Sequence, residues 1–405
     1  MNAMGIKSLG AGAKGKRIYL KTRSPIGIDA GARSVKAVQL GRDRWGHGRW
    51  QVVAAAEVPR DEVARPAAPA TQPAASGQQQ QANAHVLTPA DVQRLVGTLE
   101  RQGFAGGDVV LAVPNERVLS SMLDLPPRSS QAPIEQIARM EVARAHRFAP
   151  DGFEMGCWDL PAAARATKAT PVMAVACTHA DAAALMDPFE AASLTVRGLD
   201  VKAAAIARAC APLLAADRGG IIAIVDLGWS GATLSLMHQG VAIYGRTLGD
   251  SGIYKLYHTL GSRLGLEAEV IDYLLSDTGV AAAGDGSGAA RPATGAGAGA
   301  SRNGKNATDA VGLIAAHFEA AVQELQVSLS YAQHQYPDTP VSRLLVVGGG
   351  GCIRGVTEHL SRTLGIEARA VAPTDVAECG PGVAGQCASP SMLAALGLAQ
   401  YTATA

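Results

Sequence analysis

Three short stretches of the chain hold residues that could bind phosphate and a metal ion. In "IGIDAGARSVKAVQL" (26–40) an apolar, β-prone run ends at Asp29. A turn of Gly31, Ala32, Arg33 and Ser34 then leads through Lys36 into a second extended run. Residues 224–237, "IVDLGWSGATLSLM", repeat that spacing: Asp226 matches Asp29, Gly228 matches Gly31, Gly231 falls on Ser34 and Thr233 on Lys36, with Trp229 and Ser230 between. In "LLVVGGGGCIRGV" (344–356) a buried strand breaks into Gly348, Gly349, Gly350 and Gly351. Small turns can aim backbone N–H groups at phosphate oxygens. The aspartates can hold Mg²⁺ through its water shell, because this ion dehydrates reluctantly. Lys36 would add a charge and Thr233 a hydroxyl. A glycine turn lets backbone lie close to adenine or ribose. A single hairpin of this kind is explained as well by an aspartate bonding its own turn. Two in register, with a later glycine turn, point to a duplicated fold with a nucleotide cleft between its halves.

The elements that must position these residues alternate between strand and helix, which makes the class α/β. "TPADVQRLVGTLERQGF" reads as a helix capped by Thr88, with Pro89 in its first turn and Val92, Leu95, Val96 and Leu99 on one face. "DVVLAVPN", "PVMAVACT" and "SRLLVVGGG" read as strands. "APIEQIARMEVARAHRF" reads as a helix with Ile134, Ile137, Val142, Ala145 and Phe148 on one side, core being the expectation for Ile134, Ile137 and Phe148. "DAAALMDPFEAA" is helical, with Pro188 a kink or cap. "AVGLIAAHFEAAVQELQVSLSYAQ" is a long amphipathic helix through Val311, Ile314, Phe318, Val322, Leu325 and Leu329. Two segments are too poor in apolar pattern to build a core: the Pro/Ala/Gln-rich 65–84 and the Gly/Ala-rich 279–306. Residues 1–24 read as a loose basic arm.

The totals exclude several classes. At 405 residues the chain is too long for one ordinary core. With 48% hydrophobic and 18% charged residues it is globular, and a net charge of +1 gives no global attraction to nucleic acid. No apolar run is long enough to span a bilayer, and the N-terminus lacks the apolar core of a signal peptide. The 6 cysteines form no C-x-x-C pair and read as reduced thiols, and the 9 histidines show no metal spacing.

These motifs resemble those of the actin-like ATPase superfamily, in particular the PilM family of type IV pilus assembly, a relative of FtsA. The two aspartate turns are similar to its phosphate motifs and the glycine turn to its adenosine motif. "VVLAVPNERVLSSMLDLPP" and "RFAP" are similar to the subdomain inserted in PilM and FtsA, and "SMLAALGLAQY" to the closing helix. The resemblance implies an actin-like, duplicated ribonuclease-H-like fold of two domains with a small inserted α+β subdomain. Its parts would be a first domain over 25–105 interrupted at about 61–85, the insertion over 106–192, a return and connecting helix over 193–215, a second domain over 216–385 interrupted at about 279–308, and a closing helix over 386–405.

The resemblance also implies function: a cytoplasmic protein, peripheral at the inner membrane, that binds ATP and Mg²⁺ and the cytoplasmic tail of a PilN-like membrane protein. The tail would lie near Leu111–Leu125 and the helix Ile134–Phe148. Self-association is compatible with it. By the resemblance Asp29, Gly31, Ala32, Arg33, Ser34, Lys36, Asp226, Gly228, Trp229, Ser230, Gly231, Thr233, Gly252 and Gly348–Gly351 would line the nucleotide site, and Asp29 and Asp226 would hold the metal through water. Two departures stand out. "GDSG" (249–252) falls where a paired glycine is frequent. In "LDVKAAAIARA", Lys202 stands where the family often has a carboxylate that positions water. A lysine cannot take a proton from water near neutral pH, so hydrolysis is expected to be slow or absent unless Asp29, Asp226 or Asp200 substitutes. Glu269 is a ribose candidate, or equally a solvated charge on its helix. The alternatives are an actin-like small-molecule kinase, or a scaffold that no longer binds nucleotide.

Overall fold

The computed structural model describes residues 20–43, 49–60, 86–161, 169–217, 219–280 and 300–402. Most of the basic arm and of the Gly/Ala-rich segment, and all of the Pro/Ala/Gln-rich 65–84, lie outside these. Where their edges are described they are ordered: Leu20–Arg23 forms a strand, and the Gly279 and Val280 backbone closes against Arg354.

The first sheet contains β1 (Leu20–Arg23), β2 (Ile26–Ala30), β3 (Ser34–Asp43), β4 (Gln51–Pro59), β5 (Asp108–Val113), β9 (Thr195–Val201) and β15 (Glu378–Cys379). The insertion's sheet is β6 (Leu119–Leu125), β7 (Phe153–Asp159) and β8 (Thr170–Thr178); the last sheet is β10 (Ile221–Leu227), β11 (Ala232–His238), β12 (Val241–Leu248), β13 (Val341–Val347) and β14 (Glu367–Ala370). The order β4-β3-β2-β5-β9 in the first sheet is repeated as β12-β11-β10-β13-β14 in the last. In each, the first three strands are antiparallel and the next two pair in parallel. The repeat read from two turns is therefore a repeat of whole sheets.

The central strands are apolar because both faces are covered. All seven residues of β10 are buried: Ile221, Ala223, Val225 and Leu227 enter one core cluster, and Ile222 and Ile224 another. In β2, Ile26 and Ile28 pack toward the helix Pro89–Arg101 through Val92, Leu95 and Leu99. Thr88 caps that helix with Asp91 completing a reciprocal capping box.

The insertion lies between β5 and β9. The helix Ile134–His146 covers one face of its sheet through Ile134, Ala138 and Val142. Phe148 departs from the core expectation and Ala145 from the shared side. The helix ends as Arg147 turns left-handed, at φ +60°, so its 3.6-residue pattern stops before Phe148, which is 41% exposed; Ala145 is exposed as well. The long helix Ala300–Gln335 buries Ile314, Phe318, Val322, Leu325 and Leu329 as read but leaves Val311 half-buried, and Pro188 lies inside the helix His179–Ala191.

The chain returns to the first sheet at β15, ahead of the expected boundary at residue 386, and closes with the helix Leu393–Ala399, buried along its whole length. Gly397 lets this helix meet the connecting helix Lys202–Ala209: a Cβ there would fall 1.8 Å from the Ala205 carbonyl oxygen. That contact holds the connecting helix, and with it Lys202, between the two large sheets.

Candidate functional site

Strand pairing places the two aspartates. Asp29 lies opposite Lys36 across the β2–β3 hairpin, and Asp226 opposite Thr233 across β10–β11. Both carboxylates sit at the carboxyl ends of strands that have a parallel neighbour, where open α/β sheets place ligands. They face one cleft of about 530 Å³ between the halves. Asp29, Gly31, Ala32, Arg33, Ser34 and Lys36 line it from the first half; Asp226, Gly228, Trp229, Ser230, Gly231, Thr233, Gly348, Gly349 and Gly350 line it from the second. Gly351 and Gly252 are not on this wall. Gly351 packs beside Pro390. Gly252 backs the second turn, where a Cβ would come within 2.6 Å of the Ser230 backbone. Glu269 is exposed and also off the cleft; Asp272 and Ser276, further along its helix, line it instead.

Lys202, the first residue of the connecting helix, joins the two aspartates. Its Nζ is 2.9 Å from Asp226 Oδ2 and 3.4 Å from Asp29 Oδ2, and both carboxylates are largely buried. Burial works against the ammonium, but Asp226 and Asp29 outweigh it, so the Lys202 pKa is raised. Lys36 goes the other way: burial pulls its pKa down, with Lys202 adding to the fall and Asp29 and Glu57 opposing it. Its Nζ donates to the Ser34 carbonyl at 3.2 Å and lies 3.9 Å from Glu57. Asp226 Oδ1 is buried without a hydrogen-bond partner. Gly348 leaves that oxygen its room: at φ +80°, a Cβ would lie 2.2 Å from it.

The rim is closed by cation and ring. Arg33 pairs with Asp272 at 2.6 Å, donates to the Tyr257 hydroxyl at 2.9 Å and lies 4.8 Å from the Trp229 ring centroid. Burial and the bond to Asp272 push the Tyr257 phenol up to about 12. Asp200, a candidate substitute for the missing carboxylate, is paired with Arg208 at 2.7 Å and is not at the cleft.

The groups of a kind that meets phosphate here are Lys36 and Lys202; the Gly31, Gly228 and Gly348 N–H groups already donate to the Asp29, Gly231 and Pro390 carbonyls. A hydrated Mg²⁺ does not fit the carboxylates expected to hold it. The pair already shares the Lys202 ammonium, which stands between the two carboxylates where the hydrated ion would lie.

A second recess adjoins the cleft, at the insertion where a partner groove was expected. It is a groove of about 1050 Å³ whose walls include Ser120, Trp158, Met173 and Val175 from the insertion's uncovered sheet face, together with Ala204, Leu214, Met237 and Ala242. Trp158 donates to the Ala242 carbonyl at 2.9 Å and ties the insertion to the second half. The helix Ile134–His146 lies on the opposite face of that sheet, so of the two segments expected at a partner groove only residues near Asn115–Ser120 line it. Asn115 and Thr233 line both recesses, and Asn115 Nδ2 donates to Thr233 Oγ1 at 2.6 Å. The sequence signal was available: Asn115 is a polar residue following the buried strand β5, in "LAVPN".

Among solved structures the chain is similar to that of a PilM–PilN type IV pilus biogenesis complex, with a TM-score of 0.67 at 19% identity over 93% of this chain and 98% of that one. A weaker likeness, TM-score 0.49 at 14% identity over 95% of this chain and 92% of that one, is to the ethanolamine utilization protein EutJ from Carboxydothermus hydrogenoformans. No functionally curated protein matches the sequence. The profile of the family described as type IV pilus assembly protein PilM matches residues 27–270. With its duplicated sheets in the actin-like fold and that match over most of its described length, the chain belongs to the type IV pilus assembly protein PilM family.

Proposed function

We propose that this chain is a cytoplasmic scaffold of type IV pilus assembly, peripheral at the inner membrane. It binds ATP in the cleft and the cytoplasmic tail of a PilN-like membrane protein in the adjoining groove. The observation that carries this reading is the shared wall: Asn115, Thr233 and Thr247 line both recesses, and Asn115 donates to Thr233. A nucleotide that moves Thr233 moves a residue lining the groove. Among the described residues no helix is long and apolar enough to cross a membrane, which fits attachment through a partner's tail.

Hydrolysis is slow on this reading. Asp29 and Asp226 are bound to Lys202, Glu57 accepts from Ser34 at 2.5 Å, and Asp272 is held by Arg33 and Tyr257. A carboxylate held by a cation or hydroxyl is a poor base for water at neutral pH. ATP then acts by occupancy, shifting the groove between states that bind the tail with different affinity.

The test is a pair of titrations: a fluorescent ATP analogue into the protein, then a PilN-like tail peptide with and without ATP. Coupling must be reciprocal, so ATP should change peptide affinity by the factor by which peptide changes ATP affinity, about 5-fold or more. Asn115→Ala should bind both ligands and lose most of that coupling. Independent binding of the two would remove the coupling; absence of ATP binding would leave the scaffold that has lost nucleotide.

A further inference from the structure

The cleft holds a cation of its own. Lys202 Nζ stands between the two aspartates that, by their matched positions, would share one divalent ion. It arrives from a third element, the connecting helix, whose seat is set by the close contact of Gly397 with Ala205. We infer that the Lys202 ammonium replaces the divalent cation, so that this cleft takes its nucleoside polyphosphate without a metal ion held between Asp29 and Asp226. This rests on the nucleotide reading above.

Charge and space support it. A hydrated Mg²⁺ needs room between the carboxylates for its water shell. An ammonium in contact with both oxygens fills that position, and its like charge repels a second cation. Lys202 is the cation already paired with both carboxylates, 2.9 Å from Asp226 and 3.4 Å from Asp29. Lys36 lies opposite Asp29 across the β2–β3 hairpin, its Nζ 3.9 Å from Glu57, on the Asp29 side of the pair. The phosphates then meet two lysines, each with its own tether: β3 for Lys36 and the connecting helix for Lys202. Asp226 Oδ1, buried and without a partner, remains to accept from a hydroxyl or a water beside the ligand.

The experiment is a titration of the full chain with a fluorescent ATP analogue, in excess MgCl₂ and in excess EDTA. The wild-type affinity should differ by less than about 3-fold between the two. Lys202→Ala should bind weakly in EDTA and recover by about 10-fold or more in MgCl₂, because its two carboxylates are then free to take the ion. A wild-type affinity that falls about 10-fold on chelation and returns with Mg²⁺ would overturn the inference while leaving the nucleotide reading intact. Lys202→Ala binding equally well with and without Mg²⁺ would assign the cation's role to another residue and overturn it too. No binding by the wild type in either buffer would sink the nucleotide reading and this inference with it. Should Lys202→Ala fail to fold, the wild-type pair still decides; as a second variant, Asp29→Asn/Lys202→Met removes one buried carboxylate with the ammonium.

Discussion

The turn after Asp29 and the turn after Asp226 share a backbone plan and differ in chemistry. Both aspartates end a buried strand and face a residue on an antiparallel neighbour, Lys36 in one case and Thr233 in the other. The first turn is cationic, with Lys36 held against Ser34 and Glu57 and with Arg33 reaching across the cleft to Asp272. The second is neutral and aromatic: Trp229 packs edge-on against Tyr257, and Thr233 accepts from Asn115. Duplication preserved the strand geometry, which backbone hydrogen bonds enforce, and left the side chains free to divide the work. The first half brings cations to the cleft; the second, through Thr233, also borders the adjoining groove. Lys202 spans the two, closer to Asp226 than to Asp29.

That asymmetry can be broken by mutation. The largest effect should come from Lys202→Ala, which leaves two buried carboxylates facing each other unpaired. It should cost about 3 kcal/mol, read as a lower midpoint in urea unfolding. A cost near zero would mean that water reaches the pair and screens it. Next are the two single neutralisations. Asp226→Asn, losing the 2.9 Å contact, should destabilise by about 2 kcal/mol, and Asp29→Asn, losing the 3.4 Å one, by about 1 kcal/mol. Equal losses would show that Lys202 belongs to both turns alike.

The smallest effect concerns pH and touches the second half alone. Burial holds His317 neutral and pushes its pKa down to about 4, with Lys255 adding to the fall and the Ser251 backbone and Asp250 opposing it. Its helix packs near the Gly249–Ser251 turn, which leads into Gly252 and so backs the second aspartate turn. Unfolded, the ring titrates at its ordinary value of 6.5. Between these values the unfolded chain binds the extra proton, so the stability from His317 is present above pH 6.5 and is lost as pH falls toward 4. Partial exposure reduces the loss to about 1 kcal/mol. The wild-type melting temperature should fall more over this window than that of His317→Gln; parallel curves would show that the ring protonates freely in the fold.

Much of the frame was legible from residue order. The strand–turn–strand around Asp29, its echo around Asp226 and the glycine turn at Gly348 depend on local pairing and on conformations that small residues permit, and both signals lie in adjacent residues. The helix Ile134–His146 was legible in its interior but not at its end: periodicity cannot show that Arg147 turns left-handed, so Phe148 read as core although it is exposed. A groove at the insertion was implied by the resemblance, but its walls were not legible, because they belong to no single element. Alternation along β6 and β8 separates two faces, and only the docked helix on one of them shows which is left open.

The sequence by itself determined the α/β class, the duplicated aspartate hairpins, the low-complexity segments and the lysine at 202, since each is a matter of local pattern or residue identity. Only the tertiary structure decided what that lysine does. It lies far along the chain from both aspartates, and no spacing rule joins the three. The crossing of two helices at Gly397 and Ala205 brings them together, and in that low-dielectric space one ammonium between two carboxylates changes the reading of the site from a metal-holding cleft to one that carries its own cation.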